Sequence, residues 1–343
     1  MIQEAISKLV LKQNLTLYEA ENVMNHIMEG KATNAQIAAF LVSLRLKGET
    51  INEITACAKI MRSKAATINP KVKYLVDTCG TGGDNSGTFN ISTAAAFVAA
   101  GAGAAVAKHG NKSVSSKCGS ADVLSALGVN IELLPEQVEK CIEEVGMGFM
   151  FAPMFHPAMK HALNARKEIG IRTVFNMLGP LTNPANAKSQ LIGVFNPELL
   201  TVFAEVLKNL NVNHALIVHG SGLDEITACG TTKVCELKNG VIAQYEINPS
   251  DFGFKISPME ELKGGSAEQN ANIILEILNG DKGPKRDIIL LNSAAALLTT
   301  GIVDNIKDGI ELAKKSIDSG KALKVLENLI KFTNQNARQN NRE

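Results

Sequence analysis

The sequence predicts an α/β protein in which a small all-helical domain precedes a larger domain with a mainly parallel sheet flanked by helices. Two observations predict this class. Up to about residue 66 the pattern is helical, and after Lys71 short apolar runs alternate with helical stretches. A chain of 343 residues is long enough for one large domain and a small one. We therefore expect a helical domain over 1–66 and an α/β domain over 67–343.

The helical segment is predicted by its start signals. Three Thr-x-x-Glu/Gln boxes begin at Thr16, Thr33 and Thr50. In each box the threonine can accept hydrogen bonds from free N–H groups of the helix that follows. After the second box, apolar residues recur at helical spacing, namely Ile37, Phe40, Leu41 and Leu44. These residues predict one buried face of a helix.

The strands of the larger domain are predicted by short, continuous apolar runs. Five such runs read as buried strands, over 74–76, 104–107, 148–151, 190–194 and 215–218. Helical stretches over 135–145 and 197–207 lie between them, which is typical of parallel strands joined by helices. Asn239-Gly240 predicts a hairpin turn, and from about Glu268 the chain returns to helix.

Composition limits the classes of function. The chain has 45% hydrophobic residues, 20% charged residues and a net charge of +1. This balance predicts no broad electric field for nucleic acid or for an anionic membrane, so any anion must be held by a local site. Six cysteines without a CxxC pair indicate a reduced, cytoplasmic protein. The N-terminus lacks the apolar core of a signal peptide, and the apolar run 94–107 is too short to span a membrane.

A glycine-rich stretch follows the first predicted strand. Residues 77–93 read DTCGTGGDNSGTFNIST. A glycine-rich turn that enters a helix at about Ser92 exposes backbone N–H groups at a positive helix end, which suits phosphate. A tight turn made only for packing is the alternative, and the glycines alone leave both open. The polar side chains of Asn90, Ser92 and Thr93 and a basic loop after the next strand favour the phosphate site.

That basic loop reads KHGNKSVSSKCGSAD over residues 108–122. Taken alone, it is typical of a solvated basic loop. In a doubly wound sheet, however, the loops that follow neighbouring strands meet at the carboxyl edge, where ligands bind. Two loops that attract anions at one edge predict a ligand with more than one phosphate. Because a helix end contributes only about 0.3–1 kcal/mol toward an anion, such a ligand also needs lysine and metal.

Two further features suggest ligand contacts. Asp224 and Glu225 lie in the glycine-flanked loop HGSGLDEIT at 219–227, where hard oxygens could bind Mg²⁺, although an adjacent acid pair alone is usually a solvated turn. Arg166 follows Leu163 and Ala162 by three and four residues, which predicts that it shares their apolar face. Its guanidinium could form a bidentate hydrogen bond with a carboxylate, or it could lie on the surface over apolar neighbours. We expect structural roles for His156, His161 and His219, because no HExxH motif or nucleophile elbow accompanies them.

Five ordered segments resemble the anthranilate phosphoribosyltransferase family of tryptophan biosynthesis. They are GTGGD at 80–84, NIST at 90–93, KHGNKSVSSKCGSADVLSALG at 108–128, RTVFNMLGPLTNP at 172–184 after the Arg166 helix, and HGSGLDEIT at 219–227. The resemblance covers nearly the whole chain, including its helical beginning.

The resemblance implies a set of binding residues. A first group would line the site of phosphoribosyl diphosphate, namely Gly80, Gly83, Asp84, Thr88, Asn90, Ile91, Ser92 and Thr93. A second group would close over the phosphates, namely Lys108, His109, Gly110, Asn111, Lys112, Ser113, Val114, Ser115, Ser116 and Ser120. Anthranilate would be received by Gly80, Asn111 and Arg166, with the arginine facing its carboxylate. Magnesium, as two ions, would be held by Ser92, Asp224 and Glu225.

The resemblance also implies an assembly and a reaction. It implies a homodimer, in which helices near 160–185 join the small domain despite their later place in the chain. The implied reaction moves the phosphoribosyl group onto the amine of anthranilate with loss of diphosphate, and no general acid or base is assigned. Cys79, Cys118 and Ser125 depart from the family pattern, but none of them replaces an implied ligand.

Two alternatives remain at the level of sequence. A pyrimidine-nucleoside phosphorylase has a similar architecture, but its loop signatures differ from GTGGD and KHGN. Some relatives resemble nucleic-acid-binding proteins without transferase activity, but the near-neutral charge and the Asp224-Glu225 pair argue against this class. We therefore expect small-molecule substrates, with no nucleic acid and no membrane as partners.

Overall fold

The structure, a computed structural model, describes residues 1–113 and 117–340, without the side chains of 337–340. Val114, Ser115 and Ser116, which the resemblance assigns to the phosphates, lie outside the described residues. The described residues form a helical segment and a seven-stranded sheet that carries helices on both faces. The predicted α/β class is confirmed.

The chain begins with four helices: α1 (Ile2–Val10), α2 (Leu17–Met28), α3 (Asn34–Lys47) and α4 (Ile51–Ser63). All three predicted capping boxes are present at the starts of α2, α3 and α4. In each box the threonine oxygen accepts the N–H three residues later, while the Glu or Gln side chain accepts the threonine N–H. The four apolar residues predicted to share one face of α3 are fully buried.

The predicted strands are all present, together with the two strands of the hairpin. They are β1 (Leu75–Thr78), β2 (Ala105–Gly110), β3 (Met147–Phe151), β4 (Ser189–Gly193), β5 (His214–Gly220), β6 (Thr232–Lys238) and β7 (Val241–Ile247). The sheet order is β3-β2-β1-β4-β5-β6-β7, with the first five strands parallel and the last two antiparallel. Asn239 and Gly240 both have positive φ angles, which the predicted hairpin turn requires.

The remaining helices connect or cover the strands. They are α5 (Ile91–Gly101), α6 (Ser120–Ala126), α7 (Pro135–Val145), α8 (Ala152–Phe155), α9 (Lys160–Ile169), α10 (Phe175–Leu181), α11 (Leu199–Asn209), α12 (Ala267–Leu278), α13 (Pro284–Thr300), α14 (Ile306–Asp318) and α15 (Lys321–Asn340). No helix in the described ranges is both long and apolar enough to span a membrane.

The sheet separates two large apolar cores. Leu191 and Leu216 face the core that contains α5 and α13, whereas their chain neighbours Ile192 and Ile217 face the core that contains α11. This alternation is the two-residue period of an extended strand buried on both faces. The second core also takes in the helical segment, together with α9 and α10, and α9 packs on α2 and α3.

Two local predictions were wrong. Lys108, His109 and Gly110, expected in a loop, are the last residues of β2, because β2 continues to pair with β3 as far as Gly110 and Phe151. Leu163, expected on the buried face of the Arg166 helix together with Ala162, is 58% exposed, whereas Ala162 is buried as expected and Ala165 is buried beside it. Ala162 and Ala165, three residues apart in this helix, form its buried stripe, and Leu163 lies about 100° around the helix from Ala162 on the exposed side.

Candidate active site

The glycine-rich loop follows β1 and is held by its neighbours at the carboxyl edge of the sheet. Gly82 and Gly83 adopt φ angles of +65° and +76°, a left-handed conformation that favours glycine. The N–H of Gly82 donates to Asp224 Oδ2 at 2.7 Å, and the N–H of Thr81 donates to the carbonyl oxygen of Gly193 at 2.9 Å. The loop after β5 and the end of β4 therefore fix the loop after β1.

Three carboxylates meet at this loop. The N–H of Asp224 donates to Asp84 Oδ2 at 3.3 Å, and Glu225 is next in the chain. Loss of hydration and the neighbouring Asp84 raise the pKa of Asp224 to about 7. Loss of hydration and Asp224 raise the pKa of Glu225 well above its usual value, while the charge of Lys108 opposes this rise. The predicted acid pair therefore lies against the glycine-rich loop and is joined there by Asp84.

The acidic cluster suits a divalent cation. Like-charged carboxylates that have lost hydration are stabilised by a bound cation, and oxygens are the ligands that Mg²⁺ prefers. Among the residues that the structure describes, no three His, Cys, Asp or Glu side chains are arranged to hold an ion by themselves. An ion held here would therefore complete its shell with water or with phosphate oxygens, as Mg²⁺ commonly does.

Lys108 lies beneath the glycine-rich loop and is 1% exposed. Its ammonium donates to the carbonyl oxygen of Thr78 and, at 3.2 Å, to Ser92 Oγ. The predicted site residues Lys108 and Ser92 are thus brought together. Glu225 is also nearby, since the charge of Lys108 acts to lower the pKa of its carboxyl group. Lys108 supplies a fixed positive charge from within the sheet rather than from a mobile loop.

Some implied binding residues turn their side chains away from this loop. Ile91 and Thr93, on the first turn of α5, are buried in the core. The imidazole of His109 extends to the other side of β2 from Lys108, where Nδ1 is 3.1 Å from the carbonyl oxygen of Gly179 on α10. Near the start of α5, the backbone N–H groups and the side chains of Asn90 and Ser92 remain as the groups that can face a ligand.

The second loop is fixed at both of its described ends by Asp122. Asp122 Oδ2 accepts the N–H of Ser113 at 2.9 Å and the N–H of Gly119 at 2.8 Å. Ser120 Oγ donates to the carbonyl oxygen of Asn111 at 3.4 Å, and the ammonium of Lys112 lies 5.9 Å from the Phe151 ring centroid. The described part of the predicted basic loop is therefore a folded turn over the end of β2.

Arg166 lies half-buried on α9. Its guanidinium carbon is 5.0 Å from the ring centroid of Phe175 on α10, and burial lowers its pKa. Gly80, another residue implied to bind anthranilate, lies beside the acid pair. A Cβ added at Gly80 would be only 2.9 Å from Asp224 Oδ2. Helix α10 contacts Arg166 through Phe175 and His109 through Gly179, and so links α9 to the end of β2.

Comparisons with known proteins agree with this architecture. Residues 3–65 match the helical bundle domain of the glycosyl transferase family, and residues 72–323 match its a/b domain. The anthranilate phosphoribosyltransferase of Acetivibrio thermocellus is 59% identical over 97% of this chain and 97% of its own length. The enzyme of that name from Alkaliphilus metalliredigens is 55% identical over 98% of this chain and 99% of its own.

This chain belongs to the anthranilate phosphoribosyltransferase family.

Solved structures of the anthranilate phosphoribosyltransferase family share the fold. The crystal structure of the enzyme from Thermus thermophilus has a TM-score of 0.92 and 44% identity, and covers 96% of this chain and 99% of its own. The enzyme from Saccharomyces cerevisiae, solved in complex with phosphoribosyl diphosphate and Mg, has a TM-score of 0.88 and 29% identity. That match covers 97% of this chain and 98% of the yeast chain.

Several residues that shape the site in this family member were not predicted from the sequence. Arg172 donates to the carbonyl oxygen of Gly83 and lies over the Phe195 ring at 4.3 Å. Gly193 leaves room for the acid-pair loop, since a Cβ there would collide with the carbonyl of Asp224. Asn270 donates to Asn90, which lies 180 residues earlier. Arg172 stood inside a quoted motif, but the sequence carried no signal for the contacts of Gly193 or Asn270.

Proposed function

We propose that this protein transfers the phosphoribosyl group of phosphoribosyl diphosphate to the amine of anthranilate, giving N-(5-phosphoribosyl)anthranilate and diphosphate, in tryptophan biosynthesis. The observation that carries the proposal is the acid cluster on the glycine-rich loop, where Asp224 Oδ2 accepts the N–H of Gly82. This arrangement unites exposed backbone donors, a buried lysine and hard oxygen ligands at the carboxyl edge of one sheet. Its relatives carry the name of this activity.

The proposed diphosphate site uses the residues of the two loops in distinct ways. Backbone N–H groups of Gly83 and Asp84 and of the first turn of α5 orient the phosphates, as helix ends and glycine turns do elsewhere, whereas those of Thr81 and Gly82 are already bonded within the protein. Lys108 adds positive potential from beneath, and Asn111 to Ser113 with Ser120 close the site from the second loop. Asp224, Glu225 and Ser92 are the proposed ligands of two Mg²⁺ ions. When bound, Mg²⁺ supplies positive charge that stabilises the departing diphosphate.

The proposed reaction is a substitution at C1 of the ribose. The lone pair of the anthranilate nitrogen forms the new N–C1 bond, while the C1–O bond breaks and its electron pair leaves with diphosphate. Positive charge develops on the ribose ring, and fixed donors around the diphosphate stabilise the negative charge that leaves. Much of the acceleration comes from holding the two substrates in line, so no side chain is required as a general base.

The anthranilate site is proposed to include Arg166, Asn111 and Gly80. Arg166 supports this role because its guanidinium is held half-buried over Phe175, so it has already lost part of its hydration. A planar guanidinium matches the two oxygens of a carboxylate. The carboxylate of anthranilate would therefore contact Arg166 on α9, while the amine of anthranilate points toward the ribose.

The division of the chain is likewise a proposal. We infer that residues 1–66, joined by α9 and α10 near 160–185, act as a small domain against the α/β domain over 67–343. The packing of α9 on α2 and α3 supports this grouping. Closure between the two parts would exclude water, which could otherwise hydrolyse the activated sugar.

A homodimer in the cytoplasm is the proposed state. Large apolar side chains are exposed near one end of the helical segment, namely Val10, Leu11, Leu46 and Ile171. Their elements are packed together, because α3 contacts both α1, which ends at Val10, and α9, which ends two residues before Ile171. Clustered exposed apolar side chains are typical of an interaction surface. The cytoplasmic location rests on the six cysteines, all of them described by the structure and none of them joined in a disulfide.

The activity is tested by mixing the protein with Mg²⁺, anthranilate and phosphoribosyl diphosphate and following the loss of anthranilate fluorescence. We expect turnover that requires all three additions. Phosphorolysis of thymidine in place of this turnover, or salt-sensitive DNA binding without it, would overturn the proposal.

The acceptor site is tested by Arg166→Ala, with Lys167→Ala on an exposed position of the same helix as control. Loss of a charge-assisted bond worth about 1.5–3 kcal/mol should raise the KM for anthranilate roughly ten- to a hundredfold. The KM for phosphoribosyl diphosphate should stay near that of the wild type. An unchanged KM for anthranilate in Arg166→Ala would show that the anthranilate carboxylate binds elsewhere.

A further inference from the structure

The segment that precedes α12 lies along the glycine-rich loop. The N–H of Phe89 donates to the carbonyl oxygen of Leu262 at 3.2 Å, and the N–H of Gly264 donates to the carbonyl oxygen of Gly87 at 3.0 Å. The ammonium of Lys263 donates to the carbonyl oxygen of Ser86 at 2.5 Å. A Cβ added at Gly264 would lie 2.6 Å from Phe89 Cα, so only glycine permits this approach. Residues 262–264 therefore fix the outer side of the loop.

Asn270, on the first turns of α12, extends this contact to a side chain of the site. It is 2% exposed, so both halves of its carboxamide need partners within the protein. Its Oδ1 accepts the N–H of Gly265 at 2.8 Å, and its Nδ2 donates to Asn90 Oδ1 at 2.9 Å. Because the N–H of Gly265 can only donate, the orientation of the Asn270 carboxamide is fixed.

The orientation of Asn90 then follows from Asn270. With Oδ1 accepting from Asn270, Asn90 directs its Nδ2 to the other side, where it donates to the carbonyl oxygen of Cys118 at 3.3 Å. Cys118 Sγ also lies 3.3 Å from Asn90 Oδ1. Asn90 is the residue before α5, but its side chain does not cap that helix. Its carboxamide instead lies between the glycine-rich loop and the second loop.

We propose that Asn270 is a positioning residue that determines which end of the Asn90 carboxamide faces the phosphoribosyl diphosphate site. The inference rests on the proposed function. A carboxamide nitrogen carries two N–H groups, so Nδ2 of Asn90 can serve the carbonyl of Cys118 and an oxygen of the substrate together. In the reversed orientation, Oδ1 of Asn90 would face the substrate. A carbonyl oxygen cannot donate a hydrogen bond to the oxygens of phosphoribosyl diphosphate, which also only accept.

The decisive variant is Asn270→Asp, which keeps the size of the side chain and can still accept the N–H of Gly265. It cannot donate to Asn90, so the Asn90 carboxamide should turn and offer its nitrogen to the new carboxylate. We expect the Kd for phosphoribosyl diphosphate, measured by calorimetry with Mg²⁺, to rise roughly tenfold or more. The KM for anthranilate should stay unchanged. Asn279→Asp, the same charge change at an exposed position just after α12, is the matched control and should bind as the wild type does.

A merely structural role is separated by repeating the measurement in an Asn90→Ala background. If Asn270 acts through Asn90, Asn270→Asp should cause no further loss of affinity there, whereas independent losses that add would overturn the inference. If the aspartate variant does not fold, Asn270→Ala takes its place in the same cycle with the same expectation. A wild-type protein that does not bind phosphoribosyl diphosphate would overturn the proposed function, and this inference with it. Wild-type binding combined with equal binding by Asn270→Asp would overturn this inference alone.

Discussion

At the scale of single residues, the acid pair Asp224 and Glu225 has the chemistry that the proposed cation site requires. Both side chains have lost hydration near Asp84, and their pKa values are raised as a result. In the unfolded chain a carboxyl group ionises near pH 4, so keeping these groups close together costs stability at neutral pH. A bound cation would remove that cost.

Replacing the pair by neutral isosteres should therefore have two opposite effects. Asp224→Asn combined with Glu225→Gln should raise the Mg²⁺ concentration needed for half-maximal turnover by about tenfold or more. The same variant, without Mg²⁺ near pH 8, should unfold at a higher temperature than the wild type, because the raised pKa values make the ionised pair unfavourable there. Steady-state kinetics and thermal unfolding measure the two effects.

Glu260→Gln combined with Glu261→Gln is the matched control, since it neutralises an adjacent acid pair that is exposed. It should leave the Mg²⁺ dependence unchanged. Equal Mg²⁺ dependence in the Asp224/Glu225 variant and the wild type would show that this pair does not hold the ion.

At the scale of elements, strand β2 and the turn after α8 meet through two imidazoles. The ring centroids of His109 and His156 are 5.0 Å apart. Burial, with a smaller repulsion from His156, lowers the pKa of His109 to about 3, and burial lowers the pKa of His156 to about 4. Both histidines are therefore neutral in the folded protein throughout the physiological range.

This pair predicts a loss of stability in mild acid. In the unfolded chain histidine binds a proton below about pH 6.5, whereas in the folded protein both remain neutral until about pH 4. Between these values the unfolded state binds more protons, so the free energy of unfolding falls as pH falls, by up to about 1.4 kcal/mol per pH unit for each histidine. His156→Gln should remove about half of this slope, as measured by urea unfolding from pH 7 to pH 4.

Above pH 7 the two proteins should have the same slope, which serves as the internal control. Parallel curves from pH 6.5 down to pH 4 would contradict the assignment of His156 as a buried neutral group.

At the scale of the whole molecule, the exposed apolar side chains of the helical segment predict the dimer face. Leu46, at the end of α3, is 78% exposed. A charge placed in the centre of an apolar interface is not solvated, so Leu46→Glu should shift the protein from dimer toward monomer. Sedimentation equilibrium on the wild type should give twice the chain mass of 36.6 kDa.

Ile256→Glu introduces the same charge at another exposed apolar residue, outside this patch, and should remain dimeric. A monomeric wild type would contradict the proposed homodimer. A Leu46→Glu protein that stays dimeric would move the interface to another face.

The sequence by itself determined what depends on neighbouring residues. The three capping boxes form because a threonine and the residue three positions later lie in the same helical turn. Buried strands were recognisable as continuous apolar runs, because parallel strands are covered on both faces. The glycine-rich loop and the acid pair were recognisable because each has its full chemistry within a few residues.

Only the tertiary structure decided how these pieces meet. Whether Lys108 turns toward the glycine-rich loop or toward α10 depends on the pairing of β2 with β3, which a one-residue shift would reverse. Asn270 meets Asn90 and Gly193 leaves room for Asp224 across gaps that no local pattern spans. Leu163 is exposed because α9 packs on α2 and α3 through the face that carries Ala162 and Ala165. Local propensity specifies the elements, but the direction of a side chain in the site is set by packing between residues far apart in the chain.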